Sequence, residues 1–326
     1  MEANKTVKYE DYTINPDLAL NGEYVYNHTC QFIYKSESLT NVQIGVIHLI
    51  ISLFLLALQF LTGWSFHKMN KSKNNNTFRI MQHQGYLATI SLLSHLSTSI
   101  ITILDIQHNV YFETIVGACL QCSYFGCVTL IVLVTFNRFD VMYNFDYFSK
   151  IPRDKLFICG IIICYLISLP FGIFYSIPRY RLVYCFTIYE WYCQGLNPVS
   201  YVTCDIQNKM VLVMLSIAFI LHVLIFLKII CLRCYTSKKN LLTLQDMKFL
   251  IYAVLCFATV AMLELMWNEV LSFVYSSDIG SMFPPTLYII VSGSNAIFTI
   301  CFVNEIRKNV FWCFRKVKGT RVTAIS

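Results

Sequence analysis

The chain has few charged residues: 13% of its 326 residues are Asp, Glu, Lys or Arg, whereas 56% are hydrophobic. Soluble domains carry about 25% charged residues, so this composition excludes an ordinary soluble protein. It also excludes an intrinsically disordered chain, because disorder requires low hydrophobicity together with high charge. Gly and Pro are sparse as well, with 12 and 7 residues. The mean hydropathy of +0.57 predicts a polytopic membrane protein.

The sequence also lacks the motifs of common enzymes. It contains no HExxH, GxSxG, P-loop or GxGxxG pattern. Fourteen cysteines are present, and two of their pairs have CxxC spacing, Cys119 with Cys122 and Cys231 with Cys234. Neither pair has a matching pair of Cys or His, so we interpret these thiols as packing residues. We therefore expect no enzyme activity, no metal site, no cofactor and no nucleic-acid partner.

Seven apolar runs are each long enough to form a membrane helix. About 20 apolar residues cross the roughly 30 Å hydrocarbon core of a bilayer. The sequence therefore predicts an all-α membrane protein, a seven-transmembrane helix bundle over residues 43–303, preceded by a tail over 1–42. Residues 304–326 follow the bundle and begin with an amphipathic pattern, which predicts a short helix along the membrane surface. The predicted spans are 43–66, 78–104, 117–136, 156–177, 210–230, 249–274 and 286–303.

The basic residues predict the direction of the chain across the membrane. With the N-terminus outside, 19 of the 25 Lys and Arg residues fall on the cytoplasmic side and six on the extracellular side. Cytoplasmic loops carry the excess of Lys and Arg, so we predict an extracellular N-terminus and a cytoplasmic C-terminus. Asn4 and Asn27 then become candidate glycosylation sites. The basic loops also predict attraction to anionic membrane lipids.

The order of several short motifs resembles a known family. The third run ends in Asn137-Arg138-Phe139, and small and thiol residues precede it. Further motifs are YEWY at 189–192, IQNK at 206–209, LQ at 244–245 and SNAIF at 294–298. In this order, they are similar to nematode serpentine chemoreceptors of class T, within the rhodopsin-like seven-transmembrane superfamily. The resemblance covers most of residues 78–314.

This resemblance implies a G-protein-coupled chemosensory receptor. Such a receptor binds an extracellular small molecule and activates the α-subunit of a heterotrimeric G protein. The implied location is the plasma membrane of sensory neurons and their cilia. A ligand-gated channel subunit and a small-molecule transporter are the alternatives. Channels of the insect odorant-receptor type have the opposite topology, and transporters tend to show inverted repeats and broken helices, which the sequence lacks.

Arg138 is the first residue to which the resemblance assigns a role. It implies that Arg138 holds the inactive bundle closed at the cytoplasmic end and later contacts the G protein. Asp140 and Asp246 are its candidate partners. From the residues alone, an ordinary cytoplasmic boundary charge is the favoured interpretation of Arg138, and the resemblance is what favours the functional one. Asn137 and Asn295 belong to the same implied switch, although Asn137 stands where an acidic residue is usual.

Glu264 in the sixth span is the most informative charge for ligand binding. Counted from Lys248 at about 1.5 Å per residue, it lies roughly 24 Å from the cytoplasmic boundary. A carboxylate at that depth faces the bundle interior or a water-filled cavity. Trp267 and Asn268 share its helix face, so we predict that all three line a ligand cavity. The alternative is a neutral Glu264, hydrogen-bonded within a packed bundle. Structural hydrogen bonding between helices is the alternative for each of the other candidate lining residues, which are His95, Gln121, Tyr124, Tyr288 and Ser292.

The resemblance also implies a disulfide between the outer end of the third span and the second extracellular loop. Cys119 lies near the outer end of that span, and Cys193 lies in the loop. The hypothesis is therefore a bridge from Cys119 to Cys193. Cys185 and Cys204 in the same loop, and Cys30 in the N-terminal tail, are the alternative partners.

Overall fold

The structure, a computed structural model, describes residues 40–69, 75–106, 110–143, 152–186, 189–193, 198–235, 244–268 and 282–310. These residues contain seven helices that are long and apolar enough to cross a membrane. A shorter helix, α8, covers 304–310. The predicted all-α membrane bundle is thereby confirmed. Its long helices are α1 (Asn41–Lys68), α2 (Asn76–Leu104), α3 (Val110–Tyr143), α4 (Arg153–Tyr175), α5 (Pro198–Tyr235), α6 (Leu244–Trp267) and α7 (Phe283–Phe302).

Polar side chains set the ends of the first two helices. Thr40 and Gln43 form a capping box at the start of α1, in which each side chain bonds the other's backbone N–H, at 3.3 and 3.0 Å. Asn75 caps α2 by accepting the backbone N–H of Thr77 at 3.0 Å. At the other end of α2, Asp105 adopts the left-handed conformation, with φ of 49°. Helix α2 therefore begins two residues earlier than predicted.

Helix α3 is the central helix of the bundle. It contacts α2, α4, α5 and α6, and its side chains Leu120, Phe125 and Val128 are fully buried. Helix α5 lies at the periphery, where Phe219 and Phe226 are exposed apolar residues. In a membrane, such outward apolar side chains contact lipid.

Helix α7 approaches α1 closely at Gly293. A Cβ atom added at this position would lie 2.7 Å from the Cβ of Leu55. The contact therefore requires glycine. After α7, helix α8 buries Ile306 and Val310 against the bundle and leaves Arg307 and Lys308 exposed. The amphipathic pattern predicted for this segment is thus observed over 304–310, and residues 311–326 lie outside the described part of the chain.

A small β-hairpin joins α4 to α5, and the sequence analysis did not predict it. After a 3₁₀ turn over Pro178–Tyr180, the strands β1 (Leu182–Cys185) and β2 (Glu190–Cys193) pair antiparallel, with Tyr184 opposite Trp191. All four residues of β1 are buried, because the strand lies over the end of α3, which it contacts. The hairpin thus forms a lid over one end of the helices.

The disulfide observed in the structure corrects the predicted one. Cys193 is bonded to Cys204, which ties the end of β2 to the beginning of α5, whereas Cys119 is an exposed free thiol. Gly117 and Ala118 of α3 contact the hairpin. Successive helical residues are rotated by about 100°, so Cys119 points away from the hairpin. The prediction of a Cys119–Cys193 bridge is wrong for this reason. The predicted glycosylation sites, Asn4 and Asn27, and the alternative partner Cys30 lie outside the described residues.

Candidate functional site

A cavity of about 50 Å³ lies beneath the hairpin. We call it the hairpin-end cavity. Its walls come from α1, α2, α3, α6, α7 and the hairpin. The polar part of the lining includes His48, His95, Gln121 and Glu190, and the aromatic part consists of Tyr184, Tyr189, Trp191, Trp267 and Tyr288.

The floor of this cavity is a cluster of aromatic rings from four helices. The ring of Tyr288 lies 5.4 Å from Tyr124, 5.0 Å from Trp267 and 4.7 Å from His95, measured between centroids. Tyr124 and Trp267 are 5.5 Å apart. All four pairs have the edge-to-face geometry that aromatic quadrupoles favour. A displacement of Trp267 would therefore disturb rings of α2, α3 and α7 together.

Glu264 is buried below Trp267, and both of its carboxylate oxygens have partners. The hydroxyl of Tyr124 donates to Oε1 at 2.5 Å. The amide of Asn268 lies 3.4 Å from Oε2 and donates to the backbone carbonyl of Glu264 at 2.8 Å. Glu264 and Asn268 were predicted to line a ligand cavity, but they are not among the lining residues of the hairpin-end cavity, because Tyr124 of α3 reaches across and holds the Glu264 carboxylate inside the bundle. Trp267 does line the cavity.

The other predicted ligand residues divide between two cavities. His95, Gln121 and Tyr288 line the hairpin-end cavity, where Gln121 accepts a hydrogen bond from Gln207 at 3.3 Å. Tyr124 and Ser292 line a deeper cavity of about 20 Å³. The two cavities are connected by polar contacts, because the Ser292 hydroxyl lies 3.3 Å from His95 Nε2 and 2.8 Å from the Ser91 hydroxyl.

Sequence reasoning missed the carboxylate that does line the cavity, Glu190. Its Oε1 atom is buried and has no hydrogen-bond partner among the described residues. Burial raises the pKa of Glu190 to about 7, with a smaller contribution from Cys185. The YEWY motif at 189–192 was used only as a mark of family resemblance. An acidic residue flanked by aromatic residues between two spans was the available signal.

Three contacts fix the hairpin on the helices in addition to the disulfide. Arg181, just before β1, forms a buried ion pair with Glu113 of α3 at 3.1 Å. The Tyr184 hydroxyl lies 3.1 Å from the Thr102 hydroxyl of α2. The Tyr189 hydroxyl donates to the Asn41 side chain of α1 at 2.8 Å. The lid is thus attached to α1, α2, α3 and α5, and it holds Glu190 and Trp191 over the cavity.

Arg138 lies at the opposite end of the bundle, where it is 6% exposed. Its guanidinium donates to the Thr77 hydroxyl and, at 2.6 Å, to Asn137 Oδ1. The Thr77 hydroxyl in turn donates to Asn137 Oδ1 at 2.8 Å. Asn137 therefore takes the place of a carboxylate as a hydrogen-bond acceptor, without supplying a charge.

The charge partner of Arg138 is on α6. Asp246 Oδ1 lies 3.8 Å from Arg138 Nη1, and the guanidinium lies 5.0 Å from the centre of the Phe249 ring, within cation–π range. Asp140, the second candidate partner, pairs with Arg153 at 3.5 Å. Thr77, Asn137, Arg138, Asp246 and Phe249 line a cleft of about 330 Å³ that we call the arginine-end cleft.

Asn295 lies apart from the other predicted switch residues. It lines the deeper 20 Å³ cavity, together with Gln84 and Cys256. Its Oδ1 atom is buried and has no hydrogen-bond partner among the described residues. Three of the four predicted switch residues, Asn137, Arg138 and Asp246, are therefore brought together in one cleft, and Asn295 is not.

The fold is similar to that in the crystal structure of squid rhodopsin. The TM-score is 0.64, over 85% of this chain and 86% of that chain, at 10% sequence identity. No protein-family model and no curated protein matches the sequence. At this identity, the likeness concerns the fold alone. The chain thus has the seven-helix membrane fold of rhodopsin.

Proposed function

We propose that this protein is a chemosensory G-protein-coupled receptor of the plasma membrane. It binds a small molecule in the hairpin-end cavity, which faces the outside of the cell. It activates the α-subunit of a heterotrimeric G protein through the arginine-end cleft. The rhodopsin-like fold supports the receptor class. The order of the short motifs supports a relation to nematode class T chemoreceptors and a location in sensory cilia.

The observation that carries this proposal is the double connection between α3 and α6. Near the hairpin, Tyr124 of α3 bonds Glu264 of α6 at 2.5 Å. At the other end, Arg138 of α3 pairs with Asp246 of α6 at 3.8 Å. A ligand that moves Trp267, three residues after Glu264, acts on the helix that closes the arginine-end cleft.

The mechanism is a shift between a closed and an open arrangement of α6. A ligand changes this equilibrium only through its different affinity for the two arrangements. The aromatic cluster around Tyr288 transmits the presence of ligand to Trp267 and so to α6. Separation of Asp246 from Arg138 then widens the cleft, in which the guanidinium becomes available to the G protein.

The distribution of charge supports the proposed direction across the membrane. Among the described residues, the basic residues assigned to the cytoplasmic side lie at the helix ends nearest the arginine-end cleft, and they include Arg307 and Lys308 of α8. Anionic lipids of the inner leaflet attract such residues by about 1 kcal/mol each. In this orientation the tail carrying Asn4 and Asn27 is extracellular, and both sites are available for glycosylation.

Nucleotide exchange on purified G proteins tests the proposal. The full chain in lipid nanodiscs is compared with its Asp246→Asn variant and with empty nanodiscs. The pair is long, at 3.8 Å, and its Asp246 side is partly exposed. Loss of a solvent-screened pair costs about 0.2–1 kcal/mol, so we expect Asp246→Asn to raise exchange without ligand by up to about fivefold. The matched control is Asp205→Asn, which removes an exposed pair with Lys209 and should leave exchange unchanged. Exchange no faster than with empty nanodiscs, for both proteins and every G-protein class, would refute the proposal.

A further inference from the structure

One carboxylate in the hairpin-end cavity has no protein partner among the described residues. This carboxylate belongs to Glu190, whose Oε1 atom is buried and whose side chain lines the cavity. The two other buried carboxylates near this end are already bonded, Glu113 to Arg181 and Glu264 to Tyr124. A buried polar atom without a partner is costly, because it has lost its hydration without gaining a hydrogen bond. Glu190 therefore marks a place for a donor from outside the protein.

The cavity also lacks a cation that would neutralise this carboxylate. None of the lining residues in the described part of the chain is Lys or Arg. Its two imidazoles bond hydroxyl groups, His48 with Thr286 at 3.1 Å and His95 with Ser292 at 3.3 Å. A ligand that brings both a positive charge and N–H donors supplies what Glu190 lacks. The buried Tyr288 hydroxyl, also without a partner among the described residues, can accept a second N–H.

The aromatic walls suit the same kind of ligand. Trp191 and Tyr184 form one ring pair on the hairpin, with centroids 5.3 Å apart. Trp267 and Tyr288 form a second pair on the helices, 5.0 Å apart. Aromatic faces attract ammonium groups, and this attraction grows when water is excluded. Together with the carboxylate of Glu190 in the same cavity, these rings therefore favour an organic cation over an anion.

The volume of the cavity limits the size of that cation. The cavity has a volume of about 50 Å³, and a cavity needs about 10–15 Å³ to hold one water molecule. Only a ligand of a few non-hydrogen atoms fits without movement of the lid. The hairpin is held to four helices, so the lid itself opposes the entry of a larger amine.

We propose that the ligand of the hairpin-end cavity is a short-chain alkylammonium ion, whose ammonium group contacts Glu190 and whose alkyl group lies between Trp191 and Trp267. This inference rests on the proposed receptor function, because it names the ligand class of that receptor. Its test, however, needs only binding and no G protein. The two proposals can therefore fail separately.

The experiment is a binding titration of the full chain in nanodiscs, followed by calorimetry or ligand-observed NMR. The probes are ethylammonium, its neutral counterpart ethanol, and acetate as an anion. We expect saturable binding of ethylammonium, at least tenfold tighter than that of ethanol, and no binding of acetate. Ethanol or acetate binding as tightly as ethylammonium would overturn the proposal on the unmodified protein alone.

Variants of Glu190 locate the site. Glu190→Gln should weaken ethylammonium binding at least tenfold and leave ethanol binding unchanged. The matched control is Glu305→Gln, an exposed glutamate of α8 at the opposite end, which should bind as the unmodified chain does. If Glu190→Gln fails to fold, Glu190→Asp serves instead, because it keeps the charge and should retain the preference for ethylammonium. Unchanged ethylammonium affinity in a folded Glu190→Gln protein would contradict the proposal.

Nucleotide exchange separates the two proposals. Ethylammonium that binds through Glu190 but never alters exchange supports the ligand class and refutes the receptor function. Exchange driven by a neutral ligand and unaffected by Glu190→Gln supports the receptor function and refutes the ligand class.

Discussion

The two ends of the bundle treat buried charge in different ways. At the arginine end, the guanidinium of Arg138 is surrounded by Thr77, Asn137, Asp246 and the ring of Phe249. At the hairpin end, the carboxylate of Glu190 has no hydrogen-bond partner for Oε1 among the described residues. The Nε of Arg138 also lacks a hydrogen-bond partner among the described residues, but the guanidinium has a counter-ion in Asp246. A charge paired within the protein holds helices together, whereas a buried charge without a counter-ion favours a ligand of opposite charge. In the proposed function, the arginine end therefore stabilises the closed arrangement of α6, and the hairpin end binds the ligand.

Removal of the Arg138 guanidinium should have the largest effect on nucleotide exchange. The proposed mechanism assigns contact with the G protein to Arg138, so we expect nucleotide exchange by Arg138→Ala to fall to the rate with empty nanodiscs. The control is Arg179→Ala, an exposed arginine at the hairpin end. Full exchange by a folded Arg138→Ala protein would show that Arg138 is only a boundary charge.

Removal of the Tyr124–Glu264 hydrogen bond should have the next largest effect, which is a lower free energy of unfolding. Tyr124→Phe leaves a buried carboxylate oxygen without its donor, which costs about 1–3 kcal/mol. We expect a lower midpoint of thermal unfolding in nanodiscs. Glu264→Gln should lower the midpoint less than Tyr124→Phe does, because the amide oxygen of Gln still accepts a hydrogen bond from the Tyr124 hydroxyl. The control is Tyr201→Phe, which alters a 65% exposed side chain. Equal midpoints for Tyr124→Phe and Tyr201→Phe would mean that this bond contributes nothing.

The binding of ethylammonium should depend on pH through the carboxyl group of Glu190. The pKa of Glu190 is raised to about 7 by burial, so the carboxyl becomes protonated as the pH falls below that value. Binding of ethylammonium should then weaken by up to about tenfold per pH unit, which is about 1.4 kcal/mol. Titrations between pH 5 and 9 measure this slope.

The slope requires a control because other titratable groups line the same cavity. A positive charge on either imidazole would also repel the cation. Glu190→Gln removes only the carboxyl contribution, so its binding should vary less with pH than that of the unmodified chain. An identical slope in both proteins would assign the effect to another group. The other titratable groups lining the cavity are His48, His95, Tyr184, Tyr189 and Tyr288.

The smallest expected effect on ethylammonium binding comes from the contact between the hairpin and α3. A Cβ added at Gly117 would lie 3.1 Å from Leu182 and 3.3 Å from Trp191. Gly117→Ala should therefore displace the hairpin slightly and weaken ethylammonium binding a few-fold. Gly63→Ala is the matched control, because a Cβ there meets nothing within 4 Å. A larger effect at Gly63 than at Gly117 would contradict the role of this contact.

The sequence was sufficient for the helices and for one of the two ends. Apolar runs predict membrane helices because length and composition suffice. The pairing of Arg138 with Asp246 could be anticipated, because both charges flank the predicted cytoplasmic boundary. Asp140 was an equal candidate for this pairing. The sequence could not exclude it, because its pairing with Arg153 is visible only in three dimensions.

The hairpin end could not be predicted in the same way. Strands of four residues carry too little alternation to be recognised, and the partner of Cys193 depends on which face of α3 meets the lid. Glu264 was predicted to line the cavity from its depth alone, whereas Tyr124, 140 residues away, holds it inside. Glu190 stands in the aromatic YEWY motif, but its place over the cavity depends on the pairing of β1 with β2, which the sequence analysis did not predict.

The distance between α6 and the rest of the bundle at the arginine end tests the central claim most directly. Spin labels on unnatural amino acids at Ile158 of α4 and Ile251 of α6, both exposed, avoid the native cysteines. Helix α4 contacts α3 and serves as the fixed reference. We predict that Asp246→Asn shifts the distance distribution toward longer values, and that Tyr124→Phe shifts it in the same direction from the opposite end. Distributions identical to that of the unmodified chain in both variants would contradict a connection between the two ends through α3 and α6.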